Sequence, residues 1–146
     1  MKYKTVLVVE DNPDDQELIR MALEESHIAN DLVVLSDGAQ ALDYLFGAGA
    51  YAERDISDTP QVVMLDLKLP KVNGLEVLER LRADPRTALI PVVILTSSSE
   101  EEDILASYKL GANSYVRKPV DFNQFAEAIK QLGLYWLILN HKSPES

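Results

Sequence analysis

A chain of 146 residues, 47% of them apolar, is long enough to bury one substantial core and too short for two comfortable ones. Its 24 acidic and 14 basic side chains leave a net charge of -10, which opposes contact with nucleic acid phosphates or an anionic membrane and argues against a DNA-binding output. The lack of cysteine excludes disulfides and thiolate chemistry, no signal pattern opens the chain, and the longest apolar stretch, Leu134–Leu139, is far below the roughly 20 residues that span a bilayer, so a cytoplasmic protein is expected.

Thr5-Val6-Leu7-Val8-Val9 is a continuous apolar run that stops at Glu10-Asp11-Asn12-Pro13-Asp14-Asp15. Such a run, without alternation, predicts a parallel strand covered on both faces. Asn12 suits an N-cap, Pro13 the first helical turn, and Asp14 and Asp15 the positive end of the helix dipole. These last two are read as helix-start charges, and Glu10 and Asp11 as strand-end carboxylates. The helix carries Leu18, Ile19, Ala22 and Leu23 on one face and runs to about Ser26.

Asp31–Leu35 reads as the second strand, and Asp37-Gly38 turns into a helix with Ala41, Leu42, Leu45 and Phe46 at helical spacing, ending near Gly47 and Gly49. The Gly-, Ala- and charge-rich segment up to Pro60 reads as a surface connection. Val62-Val63-Met64-Leu65 is the third strand and meets a single carboxylate, Asp66. Asn73-Gly74 then opens a helix marked by Leu75, Val77, Leu78 and Leu81, which ends before Asp84-Pro85. Pro91–Thr96 is the fourth buried strand and finishes on a hydroxyl. Ser97-Ser98-Ser99 with the following acids marks another helix start, with Ile104, Leu105, Tyr108 and Leu110 as its modest apolar face and Gly111 as its end. Asn113–Lys118 has the mixed pattern of a strand at a sheet edge. A final helix from Asp121 carries Phe122, Phe125, Ala126, Ile129 and Leu132, and the chain frays after about Asn140, leaving residues 1–140 as the domain and 141–146 as a disordered tail.

Five strands alternating with helices predict an α/β fold, a doubly wound parallel sheet with helices on both faces and every strand's carboxyl end on one edge. Glu10, Asp11, Asp66, Thr96 and Lys118 collect on that edge, where open α/β sheets bind ligands. Three crowded carboxylates repel one another and call for a cation, and an all-oxygen site suits Mg²⁺. A carboxylate can attack a phosphoryl group when the charge on the transferring oxygens is neutralised. Asp66, alone on the central strand, is the natural nucleophile, with Lys118 as a second cation and Thr96 as a hydrogen-bond donor.

At this point the chain resembles the receiver domains of two-component response regulators over nearly its whole length. The residues that carry the resemblance are Val9-Glu10-Asp11-Asn12, Met64–Pro70 with Asn73-Gly74, Leu95-Thr96-Ser97, and Tyr115-Val116-Arg117-Lys118-Pro119. The resemblance implies a flavodoxin-like strand order 2-1-3-4-5 and a switch protein rather than a turnover enzyme, able to catalyse only its own phosphorylation and dephosphorylation. Asp66 would then be the phosphoacceptor, with Mg²⁺ held by Glu10, Asp11, Asp66 and the Lys68 backbone carbonyl. Thr96 and Lys118 would contact the phosphoryl group, Thr96 and Tyr115 would form the switch, and the Lys118–Pro119 bond is a candidate for cis. The implied partner is a histidine kinase. Ser97 and Lys68 depart from the commonest family residues. The long segment before Pro60 and the ending Gln131–Asn140 further resemble the small stand-alone regulators of phytochrome kinases.

A phosphatase of the haloacid dehalogenase type uses similar groups, but it needs a second aspartate where this chain has Lys68. An FMN carrier would share the fold, but the acidic stretch after strand one would repel a bare phosphate. A phosphate-independent interaction module has no need of Asp66, Thr96 and Lys118 together. Leu134, Tyr135, Trp136, Leu137, Ile138 and Leu139 point all round a helix, of which one domain could bury only part; the segment either folds back over its own sheet edge or, as expected here, is covered by a symmetric partner in a homodimer through Tyr135, Trp136 and Leu139.

Overall fold

The computed structural model describes residues 4–25, 30–97 and 101–118, together with 123 and 127. Strands β1 (Lys4–Val9), β2 (Asn30–Leu35), β3 (Val62–Leu65), β4 (Val92–Thr96) and β5 (Ser114–Arg117) alternate with helices α1 (Pro13–Glu25), α2 (Gly38–Phe46), α3 (Gly74–Ala83) and α4 (Glu101–Lys109). The strands form one parallel sheet in the order β2-β1-β3-β4-β5, as expected, which puts the polar-patterned β5 at an edge and β3 in the centre.

The continuous apolar runs follow from burial on both faces. Alternate residues of each central strand enter two separate cores. Leu7, Val9, Val63, Leu65, Val92 and Ile94 pack with Ala41, Leu42 and Leu45 of α2 and Val77, Leu78 and Leu81 of α3. Val6, Val8, Val62, Met64, Val93 and Leu95 pack with Ile19, Ala22 and Leu23 of α1. The helix starts match the residues that cap them: Asn12 Oδ1 accepts from the Asp14 amide, Asp37 Oδ1 from Gln40 and Asn73 Oδ1 from Glu76.

Three local features differ from the sequence reading. The connection after α2 contains a 3₁₀ turn (Gly49–Tyr51), where the Tyr44 and Tyr51 rings meet edge to face and the Arg54 guanidinium lies 4.0 Å from the Tyr44 ring centre. It is an ordered surface element held by aromatic and cation–π contacts rather than a plain linker. In α4, Leu105 and Tyr108 are exposed, whereas Ile104 is half-buried and Ser107 buried, so the helix is rotated relative to its expected apolar face. Asn113 precedes β5: its amide donates to the Val92 carbonyl and its Oδ1 accepts from the Val92 amide, so the side chain continues a pairing that a strand backbone would otherwise make. The expectations for the final helix from Phe122 onward, for the Lys118–Pro119 bond and for a dimer contact through Tyr135, Trp136 and Leu139 lie outside the described residues.

Packing reaches the phosphoacceptor candidate through Gly74, the first residue of α3. A Cβ there would lie 2.1 Å from the Asp66 carbonyl oxygen and 2.7 Å from Leu67 Cα, both backbone atoms. Gly74 is thus required for close approach of α3 to the Asp66 peptide. Gly74→Ala should destabilise by about 1–3 kcal/mol through overpacking, although Ala ordinarily favours a helix. Urea unfolding with an unchanged midpoint would show that α3 has room to retreat.

Candidate functional site

β1, β3 and β4 run in register, so their carboxyl ends open on the same edge. Immediately beyond them lie Glu10 after β1 and Asp66 after β3, while Thr96 is the last residue of β4 and Lys118 follows β5. Glu10, Asp66, Thr96 and Lys118 are all buried, with Thr96 at 0% exposure, whereas Asp11 is exposed at the rim. The Lys118 amide donates to the Thr96 carbonyl at 2.7 Å, which extends the β4–β5 pairing to the end of the pocket. The Asp66 amide donates to the Val9 carbonyl at 3.0 Å and does the same for β1 and β3.

The Lys118 ammonium is the centre of the pocket. Its Nζ lies 2.5 Å from Glu10 Oε1, 2.9 Å from Asp15 Oδ2 and 3.5 Å from Asp66 Oδ2. Burial disfavours the ammonium, but hydrogen bonds to Asp15 and Glu10 and the charge of Asp66 more than offset it and push the lysine pKa up. Burial dominates at Glu10 and, reinforced by the nearby Asp66 charge, raises its carboxyl to about 7 against the lowering effect of Lys118 and the Asn12 amide. The sequence had assigned Asp15 to the helix start alone. Its amide does donate to the capping Asn12 Oδ1, at 3.2 Å, yet its carboxylate also reaches the site. The only available signal was position: the first turn of a helix that leaves a strand's carboxyl end stays beside that end.

Of the other expected residues, Lys68 is exposed and its amide donates to Asp66 Oδ1 at 3.3 Å. Tyr115 is half-buried against the core on the α2–α3 face, opposite Ile94 in the β4–β5 register. The structure therefore brings Glu10, Asp11, Asp66, Thr96 and Lys118 to one edge and keeps Tyr115 lower on the sheet.

One carboxylate oxygen from each of Glu10, Asp11 and Asp66 lies within 4.8 Å of the others. Three oxygen donors crowded in this way, with a buried carboxyl driven towards protonation, fit a hard divalent cation. A parallel sheet of order 2-1-3-4-5 whose carboxyl edge combines such a trio with a lysine and a threonine defines a phosphoacceptor domain. Residues 6–130 match the response regulator receiver domain, and the chain belongs to that family.

The response regulator Rcp1 of Synechocystis sp. is 37% identical over 92% of this chain and 89% of its own length. The structure of its Mn²⁺-bound form aligns with a TM-score of 0.85 at 35% identity over 97% of this chain and 99% of that one. The phosphorylated cyanobacterial phytochrome response regulator RcpA aligns with a TM-score of 0.87 at 37% identity, covering 96% of this chain and 98% of its own. The bacteriophytochrome response regulator RtBRR is 52% identical, with a TM-score of 0.79, over 99% of this chain and 87% of its own. Among the described residues, no helix is long and apolar enough to cross a membrane.

A divalent cation bound by the folded state alone should raise thermal stability. At ten times its dissociation constant, Mg²⁺ or Mn²⁺ should add about 1.4 kcal/mol, or about 3–6 °C in Tm. Glu10→Gln and Asp11→Asn should blunt the shift. Equal shifts in the wild type and both variants would place the cation elsewhere.

Proposed function

We propose that Asp66 accepts a phosphoryl group from a histidine kinase and that the resulting aspartyl phosphate drives a conformational switch. The observation that carries this reading is the position of Asp66, with Oδ2 3.5 Å from the Lys118 ammonium and a carboxylate oxygen in the trio with Glu10 and Asp11. In the transfer, an Asp66 oxygen forms the new O–P bond as the P–N bond to the kinase imidazole breaks, and the bonding pair returns to the imidazole nitrogen. The Lys68 amide on Oδ1 helps to orient the attacking carboxylate. Lys118 neutralises charge on the phosphoryl oxygens and the Thr96 hydroxyl donates to one of them. Glu10, Asp11, Asp66 and the Lys68 backbone carbonyl would hold Mg²⁺, which would supply the further positive charge that a phosphoryl group needs beside these carboxylates.

The readout assigned to this event is a shift of Thr96 towards the phosphoryl group and of Tyr115 into the space behind it, which biases the surface of α4 and β5. A phytochrome kinase is the proposed partner. Support comes from the 52% identity to a bacteriophytochrome response regulator over nearly the whole chain and from the likeness to RcpA.

Incubation with Mg²⁺ and a small phosphodonor should add the mass of one phosphoryl group to the intact protein. Asp66→Asn or removal of the metal should abolish the gain, and NMR shifts in the phosphorylated protein should extend from the pocket to Tyr115 and α4. Equal modification of Asp66→Asn would refute the nucleophile, and shifts confined to the pocket would refute the switch.

The apolar stretch at the end of the sequence supports a homodimer through Tyr135, Trp136 and Leu139, formed without phosphorylation. At about 25 cal/mol per Å² of apolar surface, covering several such side chains offsets the cost of association. Sedimentation at micromolar concentration should give a dimer for the wild type and a monomer for Trp136→Glu with Leu139→Glu. A monomeric wild type, or a dimeric variant, rules this contact out.

A further inference from the structure

We propose that Asp15 is a positioning residue that shares the Lys118 ammonium, so that Glu10 can turn its carboxylate to a divalent cation while the lysine stays in the pocket. An ammonium has three N–H donors, and three carboxylates surround this one: Glu10 at 2.5 Å, Asp15 at 2.9 Å and Asp66 at 3.5 Å. Two of them, Glu10 and Asp66, also belong to the trio whose oxygens lie within 4.8 Å of one another. Asp15 does not. It is the partner that Lys118 keeps when the other two carboxylates are drawn to a second cation.

The geometry suits that task. Asp15 sits in the first turn of α1, fixed by its amide hydrogen bond to the capping Asn12, so its carboxylate is presented by a regular element rather than a free loop. The Lys118 side chain is 8% exposed and that of Asp15 31% exposed, so the ammonium bridges the dry pocket and its wetter rim. Without Asp15, the ion pairs left to Lys118 among the described residues are those with Glu10 and Asp66, both members of the trio, and a buried ammonium gives up such partners at considerable cost. Lysine and metal would then compete for the same carboxylates. Asp14, the adjacent residue, has the same charge, but it is exposed and Lys118 does not touch it.

This inference rests on the divalent, phosphoacceptor reading of the site, and calorimetric titration of the full chain with Mn²⁺ separates the two. Asp15→Asn should weaken binding about tenfold, the lower end of the range for residues that orient metal ligands. Asp15→Glu, which keeps a carboxylate within reach, should recover most of the affinity. Asp14→Asn should stay within about twofold of the wild type, because an exposed charge is screened. In a Lys118→Met background, replacing Asp15 by Asn should cost no more than replacing Asp14 does, because there is no lysine left to share. Equal losses for Asp15→Asn and Asp14→Asn overturn the proposal, as does an undiminished loss in the lysine-free background. The comparison of Asp14 with Asp15 decides even if Lys118→Met fails to fold. A wild type that binds no Mn²⁺ overturns the metal-site reading as well, an outcome that none of the variant comparisons can mimic.

Discussion

The architecture of this domain depends on one buried ammonium. Lys118 leaves the end of β5 and reaches Glu10 beyond β1, Asp15 in α1 and Asp66 beyond β3, while its own amide is tied to Thr96 at the end of β4. At an effective dielectric near 20, a pair of unit charges about 4 Å apart gains about 4 kcal/mol, and three such pairs allow the ammonium to remain charged in a pocket that otherwise disfavours it. The same contacts leave the carboxylates in excess. Glu10, Asp11, Asp15 and Asp66 are more carboxylates than one lysine can neutralise, and at Glu10 burial above all, with the Asp66 charge adding to it, raises the carboxyl pKa and makes that surplus harder to keep ionised. A divalent cation would answer that surplus, and the proposed phosphoryl transfer to Asp66 requires such added positive charge.

The cores below fix where these charges can stand. Because each central strand is buried on both faces, β1, β3 and β4 cannot slip by one residue without moving side chains of one core into the other. The loop after Asp66 is held just as firmly. Its Pro70 carbonyl accepts from the Gly38 amide at 3.3 Å, and Lys71, at φ 68°, lies 3.7 Å from the Asp37 carboxylate that caps α2. A lysine in the left-handed region is costly, and surrounding contacts hold it there. With Gly74 against the Asp66 peptide on the other side, the loop is clamped between α2 and α3.

What could be read in the sequence follows the range of each interaction. Continuous apolar runs, the cap at Asn12 and special residues placed just after strands are local patterns, and they led to a doubly wound parallel sheet and to Glu10, Asp11, Asp66, Thr96 and Lys118, while the strand order came from the family resemblance. Interactions across the fold left no such trace. Arg82 donates to the carbonyls of Ala88, Ile90 and Gly111 and to Asn113 Oδ1, which fastens α3 to the approaches of β4 and β5, yet in the sequence it is one arginine in a helix. Burial lowers its pKa, a measure of how far this side chain is drawn into the protein. Asp15 was hidden for a different reason. An acidic residue in the first turn of a helix already has a sufficient local explanation, and nothing nearby in the chain indicates that Lys118 will arrive beside it.

The distance between Thr96 and Tyr115 limits how the proposed switch can work. Thr96 stands opposite Arg117 in the β4–β5 ladder, and Tyr115 stands opposite Ile94, two residues further down each strand. In the proposed switch a phosphoryl group on Asp66 would meet the Thr96 end of the ladder rather than Tyr115, and would move the ring by changing what the end of β4 prefers. A hydrogen bond to a charged acceptor is worth about 1.5–3 kcal/mol, enough to shift a two-state equilibrium about ten- to a hundredfold. That is sufficient if the two arrangements lie within a few kcal/mol of each other. It is insufficient if Tyr115 must leave a fully packed site, and Tyr115 is half-buried.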